Sequence, residues 1–573
     1  MEGRASRLVA GLGDDAASQA FLSEVRRGLG EGTAGKVELQ HLKMRAANTA
    51  GLAHLPRDAD ILAALGPEEA ERFRPLLRTK PTRSQSGVAV VAVMSSPAAC
   101  PHGTCIFCPG GPASGVPQSY TGFEPSTMRA IQHAYDPYRI VRSRLAQLER
   151  NGHAVDKVEV VFQGGTFPAR EPAYQDWSSA VVYAALNDGP GEGTWEAEPT
   201  WTALSPGERA TRLGALMAAN ETARCRAIGF TVETKPDWCF EEHVDRMLAH
   251  GVTRVEVGLQ CLDDEVLRFT HRGHTLQDGR DALRIARDAG LKVCVHMMPG
   301  LPRKRRPSGP GWDTDAEADV EDFRRLFAEP EWRPDMLKIY PTLVVEEGET
   351  GLKAMWRRGE YAPLTTQEAA AVVARAKAHV PEWCRIQRVD RDIPTTHVLA
   401  GVMQSNLRQL VEAEQRRLGL PACRCIRCRE AGRRSGAPAE TLELHRTEFA
   451  AGGGTECFLS LEDPDRNALV GYLRLRRVGP DAHRPETRVP GGAAIARELK
   501  VHGTSLAVGA EGGATGAFQH RGHGSRLLWE AERIAFEEWG CGRLLVIAGP
   551  GVKPYYRKRH YHDVGPYVGR DGA

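Results

Sequence analysis

The period of the hydrophobic and polar positions changes several times along the chain, and each change predicts a different structural unit. Residues 21–80 are rich in Leu, Arg and Glu at helical spacing, which predicts a helical region ending in the basic run "LLRTKPTR". From "GVAVVAVM" onward, short apolar runs alternate with amphipathic segments such as "TLQDGRDALRIARDAG". Runs of this kind between helices predict an α/β fold with a parallel sheet.

Six or more strand–helix units favour a full or partial (β/α) barrel. The later runs are "KVEVVFQGGTF", "RAIGFTVETKPDW", "RVEVGLQCL", "LKVCVHMMPGLP" and "MLKIYPTLV". Between them, the Gly- and Trp-rich piece "NDGPGEGTWEAEPTWTALSP" predicts an inserted surface loop. After about residue 395 the pattern becomes a helix, a compact Cys/Arg segment and a mixed region. That mixed region has strands "LVGYLRLR", "ARELKV" and "GRLLVIAG" and a long helix over "HGSRLLWEAERIAFEEWG".

These changes divide the 573 residues into four parts, as expected for a chain too long for one core. The parts are a helical N-terminal region (1–80), a barrel (81–395), a linker (396–436) and a smaller α/β domain (437–573).

Composition adds three constraints. Lys and Arg (75) nearly balance Asp and Glu (73), so attraction to nucleic acid would have to come from local patches. No stretch has the length and apolarity of a membrane span, and the N-terminus lacks the pattern of a signal peptide. We therefore expect a cytoplasmic protein without membrane contact, in which clusters among the 13 cysteines indicate metal or redox chemistry.

The first thiol group is "CPHGTCIFCPGG", which places Cys100, Cys105 and Cys108 on a loop after a predicted strand. In barrel enzymes such loops carry the chemistry. Three thiolates would hold a [4Fe-4S] cluster with one iron open to S-adenosylmethionine, whose one-electron cleavage gives a deoxyadenosyl radical. A zinc knuckle completed by His102 is compatible with the three cysteines alone, but the surrounding strands favour the cluster. The third thiol disfavours a thioredoxin-type motif.

The run after the thiols ends in "QGGT", where Gly164 and Gly165 permit a close backbone approach to the methionine moiety. We include Thr166 and Glu233 in the same cofactor-binding set.

The second thiol group, "CRCIRC", gives Cys423, Cys425 and Cys428, a spacing that suits one tetrahedral zinc ion. The fourth ligand is open among His397, His445, Cys384 and water. We interpret this group as a structural site that holds two domains together. The neighbouring arginines predict phosphate contacts, although a solvated basic surface is the alternative. Besides Arg429, Arg433 and Arg434, the candidates for these phosphate contacts are Arg385, Arg388, Arg391, Arg424 and Arg427.

The C-terminal part contains "QHRGHGSRLL", in which Gln519, Gly522 and Gly524 open a helix whose free amides would cradle a pyrophosphate. The strand "ARELKV" before it could bind pantetheine through its backbone, and this order is that of an N-acetyltransferase of the GNAT type. Tyr555 or Tyr556 could hold the thioester or protonate the leaving thiolate, while core packing is the alternative for both.

Taken in order, these segments resemble the catalytic subunit of Elongator and its bacterial and archaeal single-chain relatives. The resemblance runs from "KPTRSQSGVAVVAVM" to "GPYV" and includes "CPHGTCIFCPGGP", "QSYTGFEPSTMRAI", "HRGHT", "LKIYPTLV", "SNLRQL", "CRCIRCREAG" and "RELKVHG". It implies a radical S-adenosylmethionine barrel fused to a GNAT-like domain, with a zinc-binding linker in the prokaryotic type. The implied reaction forms 5-carboxymethyluridine at wobble uridine 34 of tRNA, with acetyl-CoA as carbon donor.

The resemblance also implies roles for individual residues. The first three cysteines would hold the cluster, Lys157 would serve acetyl-CoA and catalysis together with Tyr555 and Tyr556, and the anticodon stem-loop would be the partner. A prokaryotic member need have no obligate protein subunits. The chain departs from the family after "YYRK", where Arg559, His560 and Tyr561 replace the frequent Leu-Gly-Tyr. The further positions for acetyl-CoA are Leu499, Lys500, Val501, His502, Gln519, Gly522, His523, Gly524, Ser525 and Arg526.

Two other functions remain open from the sequence. A protein (histone-type) lysine acetyltransferase would use the GNAT-like domain on an amine, with the barrel as a scaffold. A tRNA-binding assembly subunit would carry a structural cluster and would not cleave S-adenosylmethionine.

Overall fold

The computed structural model describes residues 12–33, 35–81, 87–433, 441–502 and 522–572. The chain begins with a helical region, as the periodicity predicts, and its apolar stripes pack into a small core around Phe21 and Ile61. Arg78 at the end of this region donates from Nε to the Gly152 carbonyl at 3.1 Å, which docks it on the barrel. The helices are α1 (Ala16–Gly30), α2 (Lys36–Ala50), α3 (Asp58–Ala64) and α4 (Pro67–Leu77).

The strands of residues 87–433 build one seven-stranded, all-parallel sheet of order β1-β2-β3-β4-β5-β8-β10, together with two short two-stranded pairs, β6-β7 and β9-β11. Sequential parallel strands joined by helices give the partial barrel that the sequence predicts. The strands are β1 (Ala89–Met94), β2 (Lys157–Gln163), β3 (Arg226–Thr234), β4 (Arg254–Gln260), β5 (Lys292–Met297), β6 (Lys304–Arg305), β7 (Trp312–Asp313), β8 (Met336–Ile339), β9 (Val344–Val345), β10 (Arg385–Arg388) and β11 (Val398–Ala400).

Helices cover the outer face of this sheet and bury its apolar side chains. Strand β2 shows the division: Val158, Val160 and Phe162 enter the core, while the alternate residues face the inside of the barrel. The helices are α5 (Pro125–Gln132), α6 (Pro137–Arg150), α7 (Pro172–Asp188), α8 (Glu198–Thr202), α9 (Pro206–Asn220), α10 (Glu241–Ala249), α11 (Asp264–Phe269), α12 (Leu276–Asp288), α13 (Ala316–Ala328), α14 (Gly351–Arg357), α15 (Thr366–Ala378), α16 (Leu407–Arg417) and α17 (Ile426–Arg429).

A second seven-stranded sheet follows, with order β12-β13-β14-β15-β16-β18-β17. All its neighbours are antiparallel except β15 and β16, which pair in parallel from Ala493 to Ala496. Its elements are β12 (Glu443–Ala451), β13 (Gly454–Asp463), β14 (Ala468–Arg477), β15 (Ala493–Val501), α18 (His523–Arg533), β16 (Arg543–Val546), α19 (Lys553–Arg557), β17 (His562–Val564) and β18 (Tyr567–Asp571).

Buried ion pairs join the two sheets. Arg497 of β15 donates to both carboxylate oxygens of Asp335 at 2.6 and 2.8 Å, and Arg476 of β14 donates to Asp288 at 2.7 and 2.9 Å. Both arginine side chains are fully buried. Because the charges are paired and desolvated together, the sheets hold a defined orientation.

Two local expectations need correction. The predicted surface loop at residues 187–206 contains α8, and its Trp201 is fully buried against Trp195, because an indole of that size gains more from the core than from solvent. The predicted long helix ends at Arg533 and continues as a π-helical stretch, Ile534–Glu538. Within the described ranges, no helix has the length and apolarity to cross a membrane.

Candidate active site

The three thiols of the first group lie at the carboxyl end of β1. Cys105 and Cys108 are buried and Cys100 is half-buried. The Ser119 amide donates to Cys108 Sγ at 3.0 Å, and His102 Nε2 lies 3.2 Å from Cys105 Sγ. Burial raises the pKa of the Cys100 and Cys108 thiols, and the nearby Cys105 adds to the rise. Such thiols gain most when a positively charged centre holds them as thiolates.

The distances between the thiol sulfurs differ between the two cysteine groups. Among the described residues, Cys423, Cys425 and Cys428 place all their Sγ atoms within 4.8 Å of one another, whereas Cys100, Cys105 and Cys108 do not. Two thiolates on one tetrahedral zinc are about 3.8 Å apart, given a Zn–S bond of about 2.3 Å. The first group is therefore too open for a zinc knuckle and suits a cluster that offers each thiol a separate iron.

The predicted glycines lie directly beside these thiols. Gly164 and Gly165 have φ of +116° and +91°, and a Cβ on Gly165 would stand 3.7 Å from Cys100 Sγ. Thr166 Oγ1 lies 3.8 Å from the same sulfur. The Gly164 amide donates to Glu233 Oε2 at 3.3 Å, so the four predicted cofactor residues converge on the cluster loop.

Two basic residues near the thiols were missed by the sequence reasoning. Arg272 is buried and lies 3.7 Å from Cys105 Sγ, and Lys235 is buried as well. Both positive charges act to lower the pKa of the neighbouring Cys100 thiol, against the larger effect of burial, which raises that pKa. The signal for Arg272 was present in "HRGHT", a motif quoted only for its resemblance. Tyr120, whose hydroxyl donates to Glu233 Oε2 at 2.7 Å, was likewise quoted without a role.

A cavity of about 1280 Å³ runs through the barrel and opens between the two sheets. It follows the inner face of β2 from Lys157 through Glu159 and Val161 to Gln163, the residue before Gly164. Seven residues of strand span about 20 Å from the first Cα to the last. The cavity therefore extends from the second sheet along β2 to Gln163, which directly precedes Gly164.

The second sheet contributes the other end of this cavity. Pairing of β15 with β16 stops at Ala496, and the rest of β15 lines the cavity with Leu499, Lys500, Val501 and His502. The first turn of α18 adds Gly522, His523, Gly524 and Ser525, and α19 adds Tyr555 and Tyr556. Burial lowers the pKa of Lys157 at this end. The sequence predictions for acetyl-CoA thus meet around one space.

The remaining predictions for this end differ in outcome. Gln519 lies outside the described residues. Arg526 is exposed and donates to the Leu442 carbonyl at 3.5 Å instead of lining the cavity. The unusual Arg559 places its guanidinium 3.7 Å from the Tyr555 ring centre and donates to Ser525 Oγ at 3.1 Å. It therefore links α19 to the start of α18.

Comparison with known proteins agrees with this geometry. Residues 94–305 match the radical SAM superfamily, 334–417 the radical SAM C-terminal domain and 20–85 the ELP3 N-terminal domain. The chain is 42% identical to "tRNA uridine(34) acetyltransferase" of Methanocaldococcus infernus over 91% of this chain and 92% of that protein. It is 41% identical to "Elongator complex protein 3" of Bos taurus over 93% of each.

The chain belongs to the Elongator complex protein 3 family. The solved structure of "The archaeal Methanocaldococcus infernus Elp3 with N-terminus deletion (1-46)" is similar, with a TM-score of 0.69 at 37% identity, covering 85% of this chain and 99% of that one.

In this family member, the five arginines predicted to bind tRNA divide into two groups. Arg385, Arg388 and Arg427 line the cavity. Arg391 and Arg424 do not: Arg391 donates to the Ser119 carbonyl at 2.7 Å and Arg424 to Glu382 at 3.3 Å.

For Arg429 the prediction of a phosphate contact was wrong, because its side chain is fully buried and held by Glu462 at 2.6 Å. Arg434 lies outside the described residues.

The second thiol group of this Elongator complex protein 3 relative is compact enough for a single metal ion, since its three Sγ atoms lie within 4.8 Å of one another. Among the described residues, none of the proposed fourth ligands joins it. His397 contacts Glu347, the exposed His445 lies 3.2 Å from Glu443, and Cys384 is buried nearby without entering the group. The identity of a fourth ligand stays a prediction.

Proposed function

We propose that this protein is a radical S-adenosylmethionine enzyme that uses acetyl-CoA to form 5-carboxymethyluridine at wobble uridine 34 of tRNA. One observation supports the proposal: a single cavity extends from Gln163, the residue before Gly164, to the predicted acetyl-CoA site of the second sheet. The curated archaeal relative named for tRNA uridine(34) matches over nearly its whole length, which supports the same substrate.

At the cluster end, Cys100, Cys105 and Cys108 would hold a [4Fe-4S] cluster. Gly164 and Gly165 would let S-adenosylmethionine approach the loop backbone, because no Cβ intervenes. When bound, a reduced cluster and this cofactor would supply a carbon-centred radical. Arg272 and Lys235 would stabilise the anionic thiolates from the protein side.

At the second-sheet end, the part of β15 beyond its pairing with β16 would bind pantetheine through its backbone, and the amides at the start of α18 would face the diphosphate of acetyl-CoA. Tyr555, Tyr556 and Lys157 stand at the mouth of the barrel, where they would position the thioester. Plain acyl transfer does not make a carbon–carbon bond to a uracil ring. A radical at the acetyl methyl group would make that bond, and it would require the radical source and acetyl-CoA to share one cavity.

The charge of the cavity supports a polyanionic substrate. Ten arginines and five lysines line it against five carboxylates, whereas the whole chain carries a formal charge of only +2. Phosphates of acetyl-CoA and RNA suit this excess. Arg385, Arg388 and Arg427 would contact the RNA backbone, and an anticodon-loop base can be turned out without opening a helix.

We further propose that Cys423, Cys425 and Cys428 bind one zinc ion that fixes the linker between the sheets. The site would be structural, because the zinc ion would fix α17, which carries the cavity-lining Arg427 between the ligands Cys425 and Cys428.

The experiment combines reconstituted cluster, dithionite, S-adenosylmethionine, carbon-labelled acetyl-CoA and bulk tRNA without oxygen, followed by mass spectrometry of the nucleosides. We expect labelled 5-carboxymethyluridine from the wild type and none from Cys105→Ala. Cys239→Ala, a buried thiol of the same barrel, serves as the matched control and should retain product. Unmodified tRNA with label on protein lysines would contradict the proposal and support a lysine acetyltransferase. RNA binding without any S-adenosylmethionine cleavage would support the assembly-subunit function.

A further inference from the structure

The loop that follows the cluster cysteines presents an aromatic side chain to solvent. Among the described residues, eleven large hydrophobic side chains are exposed, and only Phe123 and Trp529 of these are aromatic. Five of the eleven lie in two short segments of the chain, residues 123–131 and 399–403: Phe123, Met128, Ile131, Leu399 and Met403.

Residues 121–124 hold Phe123 rigidly. The buried Glu124 carboxylate accepts from the Thr121 and Gly122 amides at 2.8 and 3.2 Å and from the Thr127 hydroxyl at 3.0 Å. Burying a carboxylate is costly unless it is fully hydrogen-bonded, as this one is. Such a scaffold beneath an exposed Phe indicates that the loop exists to fix the position of that ring.

One face of the Phe123 ring is covered by a histidine. His397 stacks on it with ring centres 3.9 Å apart and planes at 25°, and Glu347 holds His397 through Nδ1. Phe123 nevertheless remains 42% exposed, which leaves surface of this side chain available to a flat ligand.

The same loop is connected to the reaction site. Ser119, four residues before Phe123, donates its amide to Cys108 Sγ at 3.0 Å and accepts from Arg391 at 2.7 Å. Four residues of chain span at most about 14 Å. The helix α5 begins directly after Glu124, and its Ser126 and Arg129 line the basic cavity.

We infer that Phe123, backed by His397, is a stacking platform for an RNA base that neighbours the reacting uridine. Aromatic faces beside basic side chains are the usual means of binding single-stranded nucleic acid. Arg391 ties the loop to the basic surface that would follow the phosphates. The inference rests on the proposed function and adds to it a residue that positions the substrate.

The test measures binding of an anticodon stem-loop RNA that carries 2-aminopurine on the 3′ side of the target uridine, at one fixed salt concentration. Phe123→Leu keeps the side-chain volume over His397 and removes the aromatic ring. We expect binding to weaken about 5- to 140-fold, the equivalent of about 1–3 kcal/mol for one stacked base, with loss of 2-aminopurine quenching.

Two variants serve as controls. Phe123→Tyr restores an aromatic face and should bind within about twofold of the wild type. Trp529→Ala removes the other exposed aromatic and should change nothing. Iron content and S-adenosylmethionine affinity of Phe123→Leu should equal those of the wild type, which shows an intact cluster loop.

Wild-type affinity and quenching in Phe123→Leu would overturn the inference, and so would equal weakening by Phe123→Leu and Phe123→Tyr. If wild-type enzyme still forms the modified uridine in that case, the proposed function stands without the platform. If the wild type forms no modified uridine, the proposed function fails and the inference fails with it.

Discussion

The contact between the two sheets depends most on one buried carboxylate, Asp335, which precedes β8. It accepts from Arg497 at 2.6 and 2.8 Å and from the Val293 amide at 2.8 Å, with Arg474 at 3.5 Å. Burial opposes its ionisation, but Arg497 and Arg474 outweigh burial and hold the pKa of Asp335 below its usual range. Asp335→Asn would keep the shape and leave two buried guanidinium groups short of a counter-charge.

Removing one partner of a buried ion pair costs about 3–5 kcal/mol. Asparagine retains one acceptor and Glu456 still contacts Arg497 at 2.8 Å, so we expect the lower value, about 3 kcal/mol. With a urea dependence of about 3 kcal/mol per molar, the midpoint of unfolding should fall by about 1 M. The assay is urea unfolding followed by far-ultraviolet circular dichroism.

Asp245→Asn is the matched control at the same contact between the sheets. Asp245 pairs with His483 at 2.8 Å and Arg484 at 2.6 Å, but its side chain is 45% exposed, so the cost should stay below about 1 kcal/mol. Equal midpoint shifts for the two variants would refute the claim that the buried pair fixes the sheets.

Three further predictions follow from the site. Burial opposes ionisation of Glu498, but Arg474 at 3.0 Å outweighs burial and lowers the pKa of Glu498 to about 2. The stability advantage of the wild type over Glu498→Gln, measured by urea unfolding, should therefore be full above about pH 4.3 and lost toward pH 2. An advantage that does not change with pH would contradict this prediction. Gly165→Ala should weaken S-adenosylmethionine binding, measured by equilibrium dialysis, about tenfold, because the backbone φ of Gly165 is +91°. The control Gly359→Ala, at a φ of +69° in open space, should leave the affinity unchanged. Equal affinities for the wild type and both variants would refute the role of Gly165. Cys425→Ala should lose the zinc measured by plasma mass spectrometry while Cys384→Ala retains it; zinc retained by the first or lost by the second would contradict a three-thiol site.

Much of the fold could be predicted because its signals are local. Short apolar runs between amphipathic segments predicted the parallel strands, and "CPHGTCIFCPGG" predicted the cluster loop, since each of these signals lies within a dozen residues. The charged barrel interior could not be predicted in this way. Arg254 and Glu256 sit in the run "RVEVGLQCL", which reads as an apolar strand, and Glu256 finds its partner Lys338 82 residues later.

The misses at the site have the same cause. Arg272 reaches Cys105 across 167 residues of sequence, so no local pattern connects them. Arg429 looked like a phosphate ligand because its neighbours are basic, yet Glu462, 33 residues away, buries it as an ion pair. Long-range pairing of charges decides which arginines are structural and which face a ligand.

The central claim is that the two ends of the cavity serve one reaction, and the most direct measurement follows a hydrogen between them. Acetyl-CoA with a trideuterated methyl group is supplied to the reconstituted enzyme with S-adenosylmethionine, reductant and tRNA, and the released 5′-deoxyadenosine is analysed by mass spectrometry. The account predicts 5′-deoxyadenosine that contains deuterium from the acetyl methyl group. Unlabelled 5′-deoxyadenosine formed alongside modified tRNA would contradict it.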